Sequence, residues 1–218
     1  MSFFLVLILI AVGIWLFHSL FNDKPVNTSN APRTVSIDLG FDHVDQPEIA
    51  KGKYLFLDIE TTGLPVNRNA KPEELENWPH IVQIAWLLFD ENKKLIESNN
   101  YIIKQNAPIP QRTIEIHRIT DEIANKKGQE PKDVLVKFSK SVANTEFLIA
   151  HNISFDLPIV ESEFLRNGFE KQFSKKKQFC TMEIGKDFCA ISKRYGKEYK
   201  LPTLTLSLIH ISEPTRLR

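Results

Sequence analysis

The sequence is poor in the features that mark a specialised chain. Only two cysteines, Cys180 and Cys189, occur in 218 residues. That excludes a disulfide-dense scaffold and a four-cysteine zinc site. Neither charge dominates: 28 Lys and Arg face 27 Asp and Glu, a net of +1. This balance excludes a protein held to nucleic acid by bulk charge alone, and equally a highly acidic disordered chain. Internal repeats and low-complexity segments are absent. With 42% hydrophobic and 25% charged residues, the composition is that of a globular protein: one domain of ordinary size with an appendage.

The one long apolar run is at the start. Phe3 to Phe21 (FFLVLILIAVGIWLFHSLF) is nineteen residues without a formal charge. A helix of that length, at about 1.5 Å per residue, nearly spans a hydrocarbon core of roughly 30 Å. Trp15, Phe17 and His18 lie toward its C-terminal end, where amphipathic rings favour an interface. A cleaved signal peptide would want a basic n-region and a small-residue cleavage site, and neither is evident. A core helix would want a polar face. Residues 1–21 are therefore expected to form an uncleaved transmembrane helix with the bilayer as partner. Lys24 and Arg33 follow it and no basic residue precedes it, which favours a cytoplasmic C-terminal domain at the inner or plasma membrane. Residues 22–52 are polar, with Pro25, Pro32 and Pro47, and read as a tether.

Residues 53–205 carry organised patterning. Tyr54 to Asp58 (YLFLD) is a short apolar run entering an acidic motif, as expected of a buried central strand. Ile81 to Phe89 and Leu95 to Ile103 read as two further strands joined by the polar turn Asp90 to Lys94. Asp121 to Lys126 and Pro131 to Ala143 read as helices. The second opens with Pro131 at N1 and spaces Val134, Val136, Phe138 and Val142 helically. Phe147 to Ala150 is a strand, and Phe155 to Arg166 a helix stopped by Gly168. This order predicts an α/β domain with a mixed sheet flanked by helices.

Two acids follow the first strand in YLFLDIETTGLP: Asp58 and Glu60. Two apart on a strand, they point to one face, about 7 Å apart along the chain. Such a pair is costly to bury unless a cation or donors compensate it. A third acid, Asp156, follows another apolar strand in FLIAHNISFD. If the two strands are neighbours, three oxygen ligands converge at one sheet edge. Hard cations such as Mg²⁺ or Mn²⁺ prefer that environment, and a two-metal site can hydrolyse a phosphodiester.

DIETTGLP, HIVQIAWLLFD, IHRITDEIA and LIAHNISFDLPIV occur in that order. Together they resemble the DEDD exonucleases of the ribonuclease-H-like fold, in the branch containing the proofreading epsilon subunit of bacterial DNA polymerase III. The resemblance covers Lys53 to Thr205. It implies a 3′–5′ exonuclease acting on the free 3′ end of single-stranded DNA or RNA, with Asp58, Glu60 and Asp156 as metal ligands. It also implies that Thr61, Thr62 and Leu64 line the pocket of the terminal nucleotide, Leu64 against the base. Asn152 and Phe155 are implied to border the substrate strand. His117, in IHRIT where the family commonly has His-Gly-Ile-Thr, either orients the loop beside the substrate or caps the following helix. His80 and His151 read as structural. A silent nucleic-acid-binding module at the membrane is the alternative outside enzymes, and an RNA-directed exonuclease the alternative within them. No polymerase partner can be assigned.

The family also has a His followed five residues later by Asp, which supplies the general base and the last metal ligand. KLPTLT ends at Thr205, and Leu206 to Arg216 (LSLIHISEPTR) resembles the in-frame translation of a sequencing adapter. His210 does not fill the role: position 215 is Thr215, and Pro214 would break the helix. Residues 206–218 are thus expected to be an artefactual tail, and catalysis to be impaired. Arg166 to Lys200 carries ten basic residues against four acids. This stretch, with Phe173, Phe179 and Tyr195 interleaved, is either a phosphate-guiding patch or a solvated helical face. Cys180 and Cys189 are expected as reduced, partly buried thiols on or near one helix.

Overall fold

The alternation of large apolar and polar residues after Lys53 builds the centre of the sheet. The computed structural model describes residues 52–189, save 172 and 174. Strand β1 (Tyr54–Thr61) buries Leu55, Leu57, Ile59 and Thr61, while Tyr54, Phe56, Asp58 and Glu60 share the opposite face. It therefore runs three residues further than the apolar pattern alone predicts, carrying both acids within the strand. β2 (Ile81–Phe89) is buried along its whole length, as a central strand must be. It pairs antiparallel with β1 and with β3 (Leu95–Ile102). The expected turn at 90–94 is a hairpin. Asp90 Oδ1 accepts the Lys94 N–H at 2.8 Å, and Lys93 takes a left-handed φ of 65°.

Two short helices follow, α1 (Gln111–His117) and α2 (Asp121–Lys127), then α3 (Pro131–Ala143) with proline at N1. β4 (Phe147–Ala150) pairs parallel to β1, α4 (Ile153–Arg166) returns across the sheet, and β5 (Lys177–Cys180) leads into α5 (Thr181–Cys189). The strand order is β3-β2-β1-β4-β5. It is a mixed sheet flanked by helices, as expected. The neighbouring of β1 and β4 needed to bring Asp156 toward Asp58 is present. Gly168 ends α4 as predicted. At φ 78° its N–H bonds Leu165 O and the next N–H, of Phe169, bonds Phe164 O, a Schellman closure that a side chain at Gly168 would strain.

One core lies between the sheet and α3 and α4, around Trp86, Phe138, Phe164 and Phe173. Trp86 and Phe138 meet edge to face at 5.1 Å, as do Phe164 and Phe173. A smaller cluster of Val82, Ile109, Ile119 and Ala124 seats α1 and α2. Val136, expected on the buried stripe of α3, is instead partly exposed, and Leu135 takes the inward position.

The apolar run at 3–21 expected to span a membrane, the tether up to residue 51 and the tail at 206–218 lie outside the described residues. Among the described residues no helix is long and apolar enough to cross a membrane.

Candidate active site

Asp58 and Glu60 stand on the face of β1 away from the main core, opposite Ala85 and Gln83 of β2. Between Glu60 and Thr61 the register slips, so that Val82 has no partner on β1. A bulge of this kind bends β2 opposite the end of β1 that carries the acids. Asp156 enters from the first turn of α4 and is 5% exposed.

The electrostatics distinguish this group from surface acids. Burial raises the Asp58 carboxyl to about 6, although the residue as a whole stays partly exposed. Burial, and then the charge of Asp58, raises Glu60 to about 7. Asp156 is held well above the ordinary range by burial first and then by Asp58, with Glu60 adding to the effect. Backbone N–H bonds from Asp156 itself and from Ile59 oppose this without prevailing. The three acids therefore sense one another, and none forms an ion pair with a basic side chain among the described residues. Mutually repelling dehydrated carboxylates are the donor set that a divalent cation compensates. The fit is one of donor chemistry. Among the described residues no three acidic, histidine or cysteine side chains are grouped closely enough to hold a metal ion, so the trio is an incomplete donor set as it stands.

The other predicted site residues divide. Leu64 projects from the loop after β1 with 67% of its surface exposed, available to a ligand. Thr61 Oγ1 donates to Gly63 O at 2.7 Å, and Thr62 Oγ1 accepts the His80 N–H at 3.0 Å. Both hydroxyls shape the loop. Asn152 is left-handed at φ 76°, and its Oδ1 accepts from Ser154. Phe155 packs against the main core, so it borders the site from within and not as a free platform.

His117 is buried at the end of α1. Its Nδ1 accepts the Ile119 N–H at 3.1 Å, which makes Nε2 the protonated nitrogen. Nε2 is buried without a partner among the described residues, and burial lowers the ring's pKa. The expected alternative of a helix cap fails, because Thr120 caps α2 by accepting the Ile123 N–H. His80 lies against Glu163 and His151 against Thr181, consistent with structural roles.

The basic stretch is largely committed to structure within the described residues. Lys171 pairs with Glu73 and Lys177 with Glu146, while Lys176 Nζ donates to Thr145 O at 2.6 Å. Phe173 is fully buried and Phe179 meets the ring of Phe147 at 5.5 Å, so Phe173 cannot stack on a base. Tyr195 and the residues around it lie outside the described region. Cys180 is a partly buried free thiol at the end of β5. Cys189 closes α5, so the two cysteines bracket that helix.

Sequence reasoning missed Glu163 and Arg166. Glu163 Oε2 lies 3.0 Å from Arg166 Nη1 and accepts the Ile81 N–H at 3.4 Å. Its glutamate followed by arginine at i+3 was the available signal, a helix-face ion pair.

Residues 55–208 match the exonuclease family RNase_T. The DNA polymerase III PolC-type protein of Listeria innocua is 28% identical over 152 residues, covering 70% of this chain and 9% of that protein. The PolC-type protein of Streptococcus pyogenes is 25% identical over 175 residues, covering 80% of this chain and 11% of its own length. The chain thus spans about a tenth of these relatives. Escherichia coli exonuclease I, solved in complex with a dT13 oligonucleotide, superposes with a TM-score of 0.52 at 18% identity, over 63% of this chain and 29% of its own. An exonuclease I complex with an SSB C-terminus gives 0.54 at 14%, over 75% of this chain and 42% of that one. The structural likeness shows the fold, and the sequence match over most of the domain supplies the lineage. By that match over residues 55–208, most of its length, the chain belongs to the DEDD 3′–5′ exonuclease family.

Proposed function

We propose that this chain is a metal-dependent 3′–5′ exonuclease that removes nucleotides from single-stranded DNA. The observation that carries the reading is the uncompensated trio of Asp58, Glu60 and Asp156, dehydrated and sensing one another's charge. Nothing in a merely structural domain requires three such acids together, because their repulsion destabilises the empty fold. The PolC-type relatives and the dT13-bound exonuclease I favour DNA over RNA.

Asp58, Glu60 and Asp156 are the residues that would hold Mg²⁺ or Mn²⁺. When bound, the cation supplies Lewis-acid charge that polarises a phosphodiester and offsets developing negative charge. The rest falls to the chain. The raised carboxyl pKa values leave the empty site partly protonated near neutrality, so cation binding is coupled to proton release. Leu64 offers an apolar surface to the terminal base.

No His followed five residues later by Asp occurs after Asp156 in this sequence. A general base of that kind contributes about 10²–10⁴-fold to the rate where it is present. We further propose that Phe3 to Phe21 tethers the domain to a bilayer, with the domain on the cytoplasmic side. Extraction of the full chain from vesicles by alkaline carbonate would refute the anchor.

The test of activity uses 5′-labelled oligothymidine with Mn²⁺. Stepwise shortening from the 3′ end, lost on chelation and in Asp58→Ala, is expected. Equal or faster shortening of an RNA oligonucleotide would move the assignment to RNA. A ladder that persists in the Asp58→Ala, Glu60→Ala double variant would refute the site.

A further inference from the structure

We propose that Arg166, held by Glu163, is a positioning residue that fixes the loop 62–80 and thereby presents Leu64 and Val66 as an apolar ledge for the 3′-terminal nucleotide. The inference rests on the exonuclease reading and names how that site holds its substrate.

The loop joins β1, just past Glu60, to β2. Its ends are tied by Thr62 and His80, with the Thr62 N–H to His80 O at 2.9 Å and the His80 N–H to Thr62 Oγ1 at 3.0 Å. Its middle is cross-linked. Val66 N–H bonds Asn77 O at 3.0 Å, Asn67 N–H bonds Asn77 Oδ1 at 2.7 Å, and Trp78 Nε1 donates to Lys71 O at 2.9 Å. None of these contacts fixes the loop to the helix layer.

Arg166 does. From the last turn of α4, Nη2 donates to Leu75 O and Trp78 O, and Nη1 to Pro79 O at 3.2 Å. Glu163 orients the guanidinium at 3.0 Å and also receives the Ile81 N–H at the base of β2. Burial alone would raise the Glu163 carboxyl, but the His80 hydrogen bond, the Arg166 charge and the Ile81 N–H lower it, keeping it ionised. One planar fork thus serves three carbonyls of a segment otherwise tied to this side by the buried Trp78 ring and by the Glu73–Lys171 and His80–Glu163 pairs, a task a single ammonium cannot copy.

What the staple presents is informative. Leu64 is 67% and Val66 89% exposed on a loop otherwise bonded along its length. Exposed apolar side chains are ordinary, but two on one rigid loop beside a catalytic acid strand form a surface suited to the face of an unpaired base. Because Arg166 touches backbone carbonyls and not the ledge, its effect on substrate passes through loop placement.

The experiment compares the full chain with Arg166→Met, Arg166→Lys, Leu64→Ala and the Leu64→Ala, Arg166→Met pair. Two readouts are used: amide hydrogen exchange, and anisotropy of a 3′-fluorescein oligothymidine with Mn²⁺. In Arg166→Met, exchange across 62–80 is expected to quicken at least about tenfold while β1 to β3 keep their protection. Oligothymidine binding is expected to weaken about tenfold, with Arg166→Lys intermediate. In the Leu64→Ala background the same substitution is expected to weaken binding less than twofold, since the ledge it positions is already cut.

Faster loop exchange with unchanged binding would overturn the proposal and leave a purely structural staple. So would full additivity in the double variant. Should Arg166→Met fail to fold, Arg166→Lys decides alone: wild-type binding with a loosened loop would overturn the proposal. A wild-type chain that binds no oligothymidine would instead refute the exonuclease reading on which the proposal stands.

Discussion

Helix α4 carries two buried carboxylates seven residues apart, about 10 Å along its axis. Asp156 in its first turn and Glu163 toward its end are similarly hidden, 5% and 6% exposed, yet they are opposite in character. Asp156 faces Asp58 and Glu60, has no cationic partner among the described residues, and is pushed up in pKa. Glu163 has Arg166, His80 and a backbone N–H, and is pushed down. Burial alone therefore identifies neither. The partner does: an acid completed by its own chain maintains architecture, and one left incomplete awaits something from outside.

The sharpest test removes one acid of each kind. Asp156→Asn is expected to reduce Mn²⁺-dependent nuclease activity by on the order of 10³-fold or more. The melting temperature of the metal-free chain should stay level or rise, because a dehydrated acid has been neutralised. Simultaneous loss of stability and activity would place Asp156 with Glu163. Glu163→Gln is expected to do the reverse in kind. It leaves the Arg166 charge without its carboxylate and should cost about 3 kcal/mol in urea unfolding, while Mn²⁺ affinity stays near wild type.

Titration should separate the two classes again. With Asp58 near 6 and Glu60 near 7, the folded chain binds protons that an unfolded chain releases near pH 4. The folded state holding more protons means that these two acids lower stability as pH rises from about 4 to 7. The melting temperature in EDTA should therefore gain from acidification across that window, until the depressed Glu163 begins to protonate and its contribution is lost below its ordinary 4.5. Added Mn²⁺ should stabilise more at pH 8 than at pH 6, since it competes with those protons. A flat metal-free profile would dissolve the distinction.

The smallest effect expected is that of Leu64→Ala. Its exposed side chain should change unfolding free energy by less than about 0.5 kcal/mol, while oligothymidine affinity falls several-fold. Equal affinity by anisotropy would remove Leu64 from the site.

Much of this was legible in the sequence, for reasons that can be located. β1, β2 and β4 are apolar runs in which burial dictates composition, and the acids of DIETTGLP and FLIAHNISFD stand out against them. Gly168 and Pro131 punctuate helices by backbone chemistry that is local. α1 was not legible because it lacks the capping Thr120 and the acids of the first turn that announce α2, and Ile109 and Ile119 with Val82 fix it from outside. β5 was hidden because it is four residues long and begins with Lys177 and Gln178, polar residues that an edge strand tolerates, leaving only Phe179 and Cys180 as apolar signal. The Arg166 staple was invisible for a simpler reason: its acceptors are carbonyl oxygens, which every residue has.

The parallel pairing of β1 with β4 has a consequence for how the molecule comes into being. Tyr54 registers with Phe147, 93 positions later, whereas β1, β2 and β3 pair between near neighbours in the chain. Closing so long a loop is entropically expensive and follows local hairpins in time. Asp58 and Asp156 sit on either side of that closure, so their repulsion arises only at the final step of assembly. Pulse-labelled exchange during refolding should protect β2 and β3 before β4, and a chain interrupted before that step holds two harmless half-sites.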